Sequence, residues 1–314
     1  MDSARRIVPP IVIPLLVVVA IAGYLLGSHR ASASSTRSSS TTPTRSRQIV
    51  PGSGVLLEYP LDWRSIAATQ TVPGLALAHS LLIAPDGDAA HAGLLAGELP
   101  AGAPSPLPAS FLALVHGIPI TEILDLAKLQ AYKYSGLSGY DRTLDLYVIL
   151  TDASSPTALV CYAADGYSSY LQQCGQIVAK VSLTGGQSAA ELSPDAAYAA
   201  QLSALITALD GERVKLRREM HLQAAAVVTL AARLARRFAG AAASVAAIEP
   251  PSPASAAQAA LASALRAARG AYEALAAAGS SQTAGAEAQQ RIQKAEATVD
   301  RALENFALLG YNHT

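Results

Sequence analysis

An apolar run near the N-terminus constrains this chain more than any other feature. The run IVPPIVIPLLVVVAIAGYLLG covers residues 7–27, and about 20 apolar residues are what a helix needs to cross the hydrocarbon core of a bilayer. Pro9, Pro10 and Pro14 lie in its first third, where missing amide donors matter least if the helix begins near them. The sequence therefore predicts a transmembrane anchor over residues 1–28.

A cleaved signal peptide is the alternative for the same run. Arg5 and Arg6 form a short basic start, and Ala31, Ser32 and Ala33 form a small-x-small cleavage site soon after the apolar residues. The run is longer than the apolar region of a signal peptide, about 7 to 15 residues, and this favours the anchor. Both interpretations place the remainder outside the cytoplasm, as a single-pass protein of the cell membrane or as a secreted module released near Ala33.

The charges around the run do not by themselves give this orientation. Two arginines precede the run and four follow it: Arg5, Arg6, Arg30, Arg37, Arg45 and Arg47. A positive-inside count would put the C-terminal side in the cytoplasm, but long domains are exported largely regardless of such charges. Residues 29–48 are rich in serine and threonine, which predicts a flexible linker typical of an extracytoplasmic stalk.

The segment 49–184 has the alternation and the turn residues of a mostly antiparallel sheet with helices. The predicted strands are 55–64, 75–84, 92–99, 120–126, 130–137, 143–150 and 157–163. The stretch LPASFLALVHG at 107–117 predicts a short helix. A second helix is indicated in YSSYLQQCGQIVAKVSL, residues 167–183, where Leu171, Cys174, Val178 and Val181 recur at three- and four-residue spacing.

Helical periodicity replaces the strand pattern after a predicted linker at residues 185–193. Ser193 is a good N-cap, and Pro194 fits the first helical position. Heptad-spaced side chains then continue to residue 248. The leucines of one stripe are Leu202, Leu209, Leu216 and Leu230.

Two further helices are predicted over residues 254–278 and 285–309, each followed by a glycine C-cap. The prolines of EPPSP at 249–253 separate them from the long heptad stretch. Because helices of matched length pack best, we expect a break near residues 221–226. The result is an antiparallel four-helix bundle over residues 194–310.

Cys161 and Cys174 are the only cysteines in the sequence. Their spacing excludes a C-x-x-C redox motif, and two cysteines without nearby histidines are too few for a zinc site. Alternation places Leu159, Cys161 and Ala163 on one sheet face, and Cys174 lies on the apolar stripe of the helix that would cover such a face. We predict a disulfide between them; the alternative is two buried thiols that pack as small hydrophobic groups.

The other residues give no catalytic constellation. With 23 basic and 23 acidic residues, the chain has no net charge to attract nucleic acid. No paired-histidine motif, nucleophile elbow, phosphate loop or dinucleotide fingerprint occurs, so no metal or cofactor is predicted. The densest polar cluster is PDGDAAH at 85–91, where Asp86, Asp88 and His91 could gather a cation, but Pro-Asp-Gly is first of all a turn.

Tyrosines are concentrated in the sheet segment, where Gln130, Tyr132 and Tyr134 alternate onto one face. Tyrosine rings offer apolar area with a polar tip, which suits sugar or peptide binding. We therefore take Tyr132 and Tyr134 as a candidate binding face. The alternative is that these tyrosines fill the core and finish a half-buried sheet.

The sequence VLLEYPLDWR, the strands that follow it and the helix ending in QCGQIVAKVSL resemble the PsbP/Mog1-like family of α/β/α sandwiches. The resemblance covers residues 50–184 and rests on a Tyr-Pro-x-x-Trp motif and on the order of elements. It implies an accessory or binding role and assigns no functional residue. The predicted fold class is thus α+β: a transmembrane helix, an antiparallel-sheet α/β/α sandwich and an all-α antiparallel bundle.

From these observations we expect a membrane-anchored, extracytoplasmic interaction or accessory protein of the bacterial cell envelope. It would be non-enzymatic, would need no cofactor, and would act on a protein or another envelope component. The alternative is an envelope hydrolase with a site near residues 79–91, where His79 and His91 flank Asp86 and Asp88.

Overall fold

The computed structural model describes residues 45–68, 70–115, 119–126, 129–139, 141–151, 155–184, 188–222, 226–279 and 282–311. These residues belong to one compact unit, residues 43–314. The predicted anchor at 1–28 and the cleavage site at Ala33 lie outside the described residues. Among the helices that are described, none is long and apolar enough to cross a bilayer.

The strands and helices follow the expected order in outline, but the predicted strand 55–64 is two strands, and the strands at 46–49 and 182–183 were not predicted. In chain order the strands are β1 (Ser46–Ile49), β2 (Val55–Tyr59), β3 (Trp63–Ala67), β4 (Ala78–Pro85), β5 (Ala92–Glu98), β6 (Thr121–Leu126), β7 (Leu129–Gly139), β8 (Arg142–Ile149), β9 (Thr157–Ala164) and β10 (Ser182–Leu183). The helices are α1 (Ala109–Leu112), α2 (Ser169–Val178), α3 (Ala196–Leu222), α4 (Val227–Ala247), α5 (Ser255–Ala278) and α6 (Gln282–Ala307). The α+β class, with antiparallel sheets and a helical C-terminal region, is confirmed.

The central layer is a seven-stranded antiparallel sheet in the order β3-β4-β5-β9-β8-β7-β6. A second sheet has the order β1-β2-β10. Its strand β1 comes from the end of the segment that the sequence predicts to be a linker, residues 29–48. Arg47 forms an ion pair with Glu58 of β2 at 2.7 Å. The polar end of that segment is therefore ordered by pairing with β2 and not by burial.

One face of the central sheet is covered by α2 and the small sheet. Side chains on this face form one buried cluster, which includes Trp63, Leu159, Cys161, Cys174 and Val178. The helix that the spacing of Cys174 and Val178 predicts is therefore the one that covers the sheet. The alternation of side chains along β9 also predicted correctly that Leu159 and Cys161 lie on the same face of the sheet.

The opposite face of the sheet is covered by the C-terminal helical region. Tyr134 donates its hydroxyl hydrogen to the Leu308 carbonyl at 2.8 Å, and the Leu192 amide donates to the side-chain oxygen of Gln130 at 2.8 Å. The Ala190 amide donates to the Leu150 carbonyl at 2.9 Å. The described part of the predicted linker at 185–193 is thus bonded to the sheet, and one apolar cluster continues from the sheet into the helices.

The helical region has separate helices on either side of residues 223–225, which lie outside the described residues. α3 ends at Leu222 and α4 begins at Val227, within the interval that helix-length matching predicts. α4 packs along α5, and α5 packs along α6, with small alanine side chains at the contact. Between α4 and α5 the chain turns through Pro251 and a short 3-10 helix, Ser252–Ala254.

Candidate functional site

The disulfide predicted between Cys161 and Cys174 is present. It joins β9 to α2 with a Cα–Cα distance of 5.8 Å, and both residues are fully buried. Because Cys161 lies in the middle of β9 and Cys174 in the middle of α2, the bond holds α2 against the sheet. The loop between β9 and α2 carries Tyr167, and the first turn of α2 carries Tyr170.

This loop lies beside the turn that joins β4 to β5, residues 86–91. The Ala164 amide donates to the His91 carbonyl at 2.8 Å, and the Tyr162 hydroxyl donates to the Ala89 carbonyl at 2.7 Å. The turn contains Gly87, with φ of 83°, a conformation that L side chains rarely adopt. PDGDAAH therefore forms the turn that its sequence predicts, and the turn is fixed against the end of β9.

Four rings from these segments form a row that we call the aromatic row: Trp63, Tyr170, Tyr167 and His91. Trp63 meets Tyr170 edge to face at 6.2 Å between ring centroids, and Tyr170 stacks on Tyr167 at 6.2 Å. Tyr167 stacks on His91 at 4.8 Å with the ring planes 11° apart. The row begins at a buried tryptophan, passes through two half-buried tyrosines and ends at an exposed histidine.

One carboxylate of the β4–β5 turn, that of Asp88, contacts the row. The Tyr170 hydroxyl donates to Asp88 at 3.0 Å, and this hydrogen bond raises the pKa of Tyr170. Asp86 pairs with Arg64 of the edge strand at 2.5 Å. The arrangement presents ring surfaces beside hydrogen-bond acceptors, which is the chemistry of non-covalent recognition of a polar or cationic group.

Tyr132 and Tyr134 lie in the core instead of on a binding face. Both are fully buried between the sheet and the C-terminal helices. Burial raises the pKa of both phenols, so both stay protonated. The two tyrosines share one face of the sheet, as strand alternation predicts. The segment around Leu308 covers that face, so the tyrosines fill the core, which was the alternative interpretation of the sequence.

The residues of the alternative site near 79–91 are not all brought together. His79 lies near the start of β4 and its Nδ1 is 3.2 Å from Glu98, whereas Asp86, Asp88 and His91 lie in the turn at the other end. An extended strand rises about 3.3 Å per residue, so the two ends of β4 are roughly 20 Å apart. Within the described part of the chain, no group of three or more His, Cys, Asp or Glu side chains is placed to hold a metal ion.

Two features of the structure were not predicted from the sequence. The stacking of His91 on Tyr167 joins segments that are far apart in the chain, and no local pattern signals it. The second feature is a polar network of Arg217, Tyr272 and Glu296 between helices. A signal existed for it, because Glu296 lies four residues after Ile292 and three before Val299, a spacing that puts all three on one helix face.

Comparison with known proteins gives a partial likeness to a solved structure. No protein-family model matches the chain, and no curated protein matches it. Part of the chain is similar to the solution structure of cyanobacterial PsbP (CyanoP) from Synechocystis sp. PCC 6803, with 13% sequence identity and a TM-score of 0.30. The match covers 46% of this chain and 95% of that one. The expected PsbP-like resemblance is thus confirmed as a weak likeness over part of the chain, and nothing about function follows from it.

Proposed function

We propose that this chain is a membrane-anchored, extracytoplasmic interaction protein of the bacterial cell envelope, non-enzymatic, which binds a protein or another envelope component through the aromatic row. Residues 1–28 would cross the membrane once, and the Ser/Thr-rich residues after them would act as a stalk. The folded unit would consist of the sheet layers and an antiparallel bundle of α3–α6.

The observation that carries the proposal is the disulfide between Cys161 and Cys174. Structural disulfides form and persist in oxidising compartments and are rare in the cytosol. The bond is fully buried and joins a central strand to the covering helix, so it belongs to the folded core. Together with the apolar run at 7–27, it supports export of the folded unit.

The aromatic row supports the interaction part of the proposal. Tyrosine and tryptophan are enriched at the centres of protein interfaces, where they supply contact area at low entropic cost. Here the rings are held in place before any partner arrives, because the disulfide fixes α2 and Asp88 holds the Tyr170 hydroxyl. A rigid surface binds with a smaller entropic cost than one that must become ordered.

The compartment is tested in native cells that produce the full chain. Thiols are trapped with acid, the protein is denatured, and a maleimide polymer is added with or without prior reduction. We expect a two-thiol mass shift only after reduction, protein in the carbonate-resistant membrane fraction, and digestion by protease added to intact spheroplasts. The variant C161A/C174A is the control and shows no shift. Two reactive thiols in untreated cells, or protection from protease until lysis, would contradict the proposal.

The interaction is tested with a photo-crosslinking amino acid placed at Ser168, an exposed position next to Tyr167. Crosslinking in the intact envelope should give a discrete adduct that the double variant H91A/Y167A loses. The same probe at Thr207, an exposed position on α3, is the matched control. Adducts that are equal at both positions, or that survive H91A/Y167A, would rule out the aromatic row as the binding surface.

A further inference from the structure

The seam between α3 and α6 differs from the other helix contacts of the C-terminal region. The backbones of these two helices come close at few points. Long side chains cross the seam instead: Arg213 pairs with Asp300 at 3.6 Å, and Arg217 pairs with Glu296. Ion pairs between long side chains thus join α3 to α6, and a space lies between the two helices.

That space is a cleft of about 420 Å³, within the usual size range of small-molecule sites. All four helices contribute to its wall. The described lining residues are Arg217, Met220, Val227, Tyr272, Leu275, Gln289, Ile292 and Gln293. Four of these side chains are aliphatic or thioether, and they give the cleft an apolar body, while an arginine, a tyrosine and two glutamines supply polar groups.

The polar groups at the cleft are held rigidly. Tyr272 stacks on Phe238 at 5.5 Å and donates its hydroxyl hydrogen to Glu296 at 2.6 Å. Burial raises the pKa of Tyr272 to about 12, so the phenol keeps this proton. Arg217 donates from Nε to the Tyr272 hydroxyl at 3.3 Å and from Nη2 to Glu296. The guanidinium is thereby fixed in the cleft wall by two neighbours.

One cationic side chain, Arg217, lies in the cleft wall, and its charge is balanced by Glu296. Arg217 is the one charged side chain among the described lining residues, and Glu296 lies behind the wall with only 8% of its side chain exposed. Within the described chain the Nη1 group of Arg217 has no acceptor, and 44% of this side chain is accessible. The wall thus offers free N–H donors of a cation beside the amides of Gln289 and Gln293.

We propose that this cleft binds an anionic amphiphile, a molecule with a single acyl or alkyl chain and a carboxylate-type head. The head would accept hydrogen bonds from Arg217, and the chain would contact Met220, Leu275 and Ile292. Guanidinium groups bind carboxylates well because both are planar and hydrogen-bond in pairs. This site is separate from the aromatic row, and the inference does not depend on the proposed function.

An ion pair that only joined two helices would not need a cleft beside it. Glu296 is buried, whereas 44% of the Arg217 side chain is accessible, so part of the guanidinium stays open to the cleft. A bound ligand would give the unpaired N–H donors of Arg217 an acceptor at the wall of this apolar cleft. The two roles differ in their response to Glu296→Gln. Loss of that carboxylate removes repulsion from an anionic ligand, while the glutamine oxygen can still accept from Tyr272.

The test uses the purified full chain, with a dodecanoate that carries a photoreactive diazirine at its chain end. Labelled peptides are identified by mass spectrometry. We expect label on the segments of α3 and α6 that contain Met220 and Ile292. Unlabelled dodecanoate should compete about tenfold better than dodecanol, since hydrogen bonds to a charged group contribute that much, and dodecylamine should compete least.

Variants distinguish specific binding of the anionic head at Arg217 from non-specific apolar association of the probe. E296Q should strengthen competition by dodecanoate. R217Q/E296Q keeps a neutral hydrogen-bonding pair and should remain folded and labelled, but dodecanoate should lose its advantage over dodecanol. Arg218→Gln removes an exposed neighbour outside the cleft wall and should change nothing. Label elsewhere in the chain, equal competition by dodecanol in the unmodified chain, or an equal effect of R218Q would overturn the proposal.

Discussion

Breaking the disulfide should destabilise the folded unit by an amount that can be estimated from the loop it closes. Cys161 and Cys174 are 13 residues apart. A cross-link over a loop of about this length restricts the unfolded chain and contributes about 3 kcal/mol in the chain-entropy description. For a domain of this size, such a loss lowers the melting temperature by about 6 to 10 °C. Reduced protein keeps both buried sulfur atoms, so the comparison isolates the cross-link from packing.

The assay is calorimetric melting of residues 43–314 with and without reductant. The matched control is C161A/C174A, which should melt below the oxidised protein and show no response to reductant. Trp63 reports the local effect, because it contacts Tyr170 at the start of α2, and its fluorescence should change when α2 is released. If oxidised and reduced protein melt within about 1 °C of each other, the bond does not restrain the unfolded chain as argued.

Three further predictions concern other contacts of the folded unit. Tyr134→Phe removes one buried hydrogen bond between the sheet and the helical region and should cost about 1 kcal/mol in urea unfolding; no change would mean that the bond contributes nothing. Arg217→Ala leaves Glu296 buried without its cation and should cost about 2 to 3 kcal/mol, of which R217M/E296L should recover most, whereas full stability of Arg217→Ala would contradict a buried charge. Burial raises the pKa of Tyr147 and Tyr162 from 10.0 to about 12. The stability from these protons is complete below pH 10 and is lost as the pH rises through about 12, so the urea midpoint should fall across that interval, and a constant midpoint would refute the assignment.

The sequence was informative where structure depends on neighbouring residues. Two-residue alternation located strands β4 to β9 and placed Leu159 and Cys161 on one face, since a strand exposes alternate side chains to each side. Three- and four-residue spacing located α2. The helix break after Leu222 followed from the lengths of the later helices, a packing argument that the heptads alone did not contain.

The sequence was less informative where a partner lies far along the chain. Strand β1 was assigned to a linker because Ser46 and Arg47 are polar, and its order comes from pairing with β2. Tyr132 and Tyr134 were correctly placed on one face, but the segment that buries them follows more than a hundred residues later. His91 and Tyr167 meet for the same reason, through the adjacency of two turns that only the sheet order β4-β5-β9 creates.

The C-terminal segment covers one face of the sheet, and this affects how the chain can fold while it is being synthesised. Residues 308–311 leave the ribosome after every strand has been made, yet they close a face of the sheet and bond to Tyr134 and Thr121. Until translation reaches them, a broad apolar surface stays open to solvent and to chaperones. A chain that ends before residue 306 should therefore leave this face of the sheet sensitive to protease.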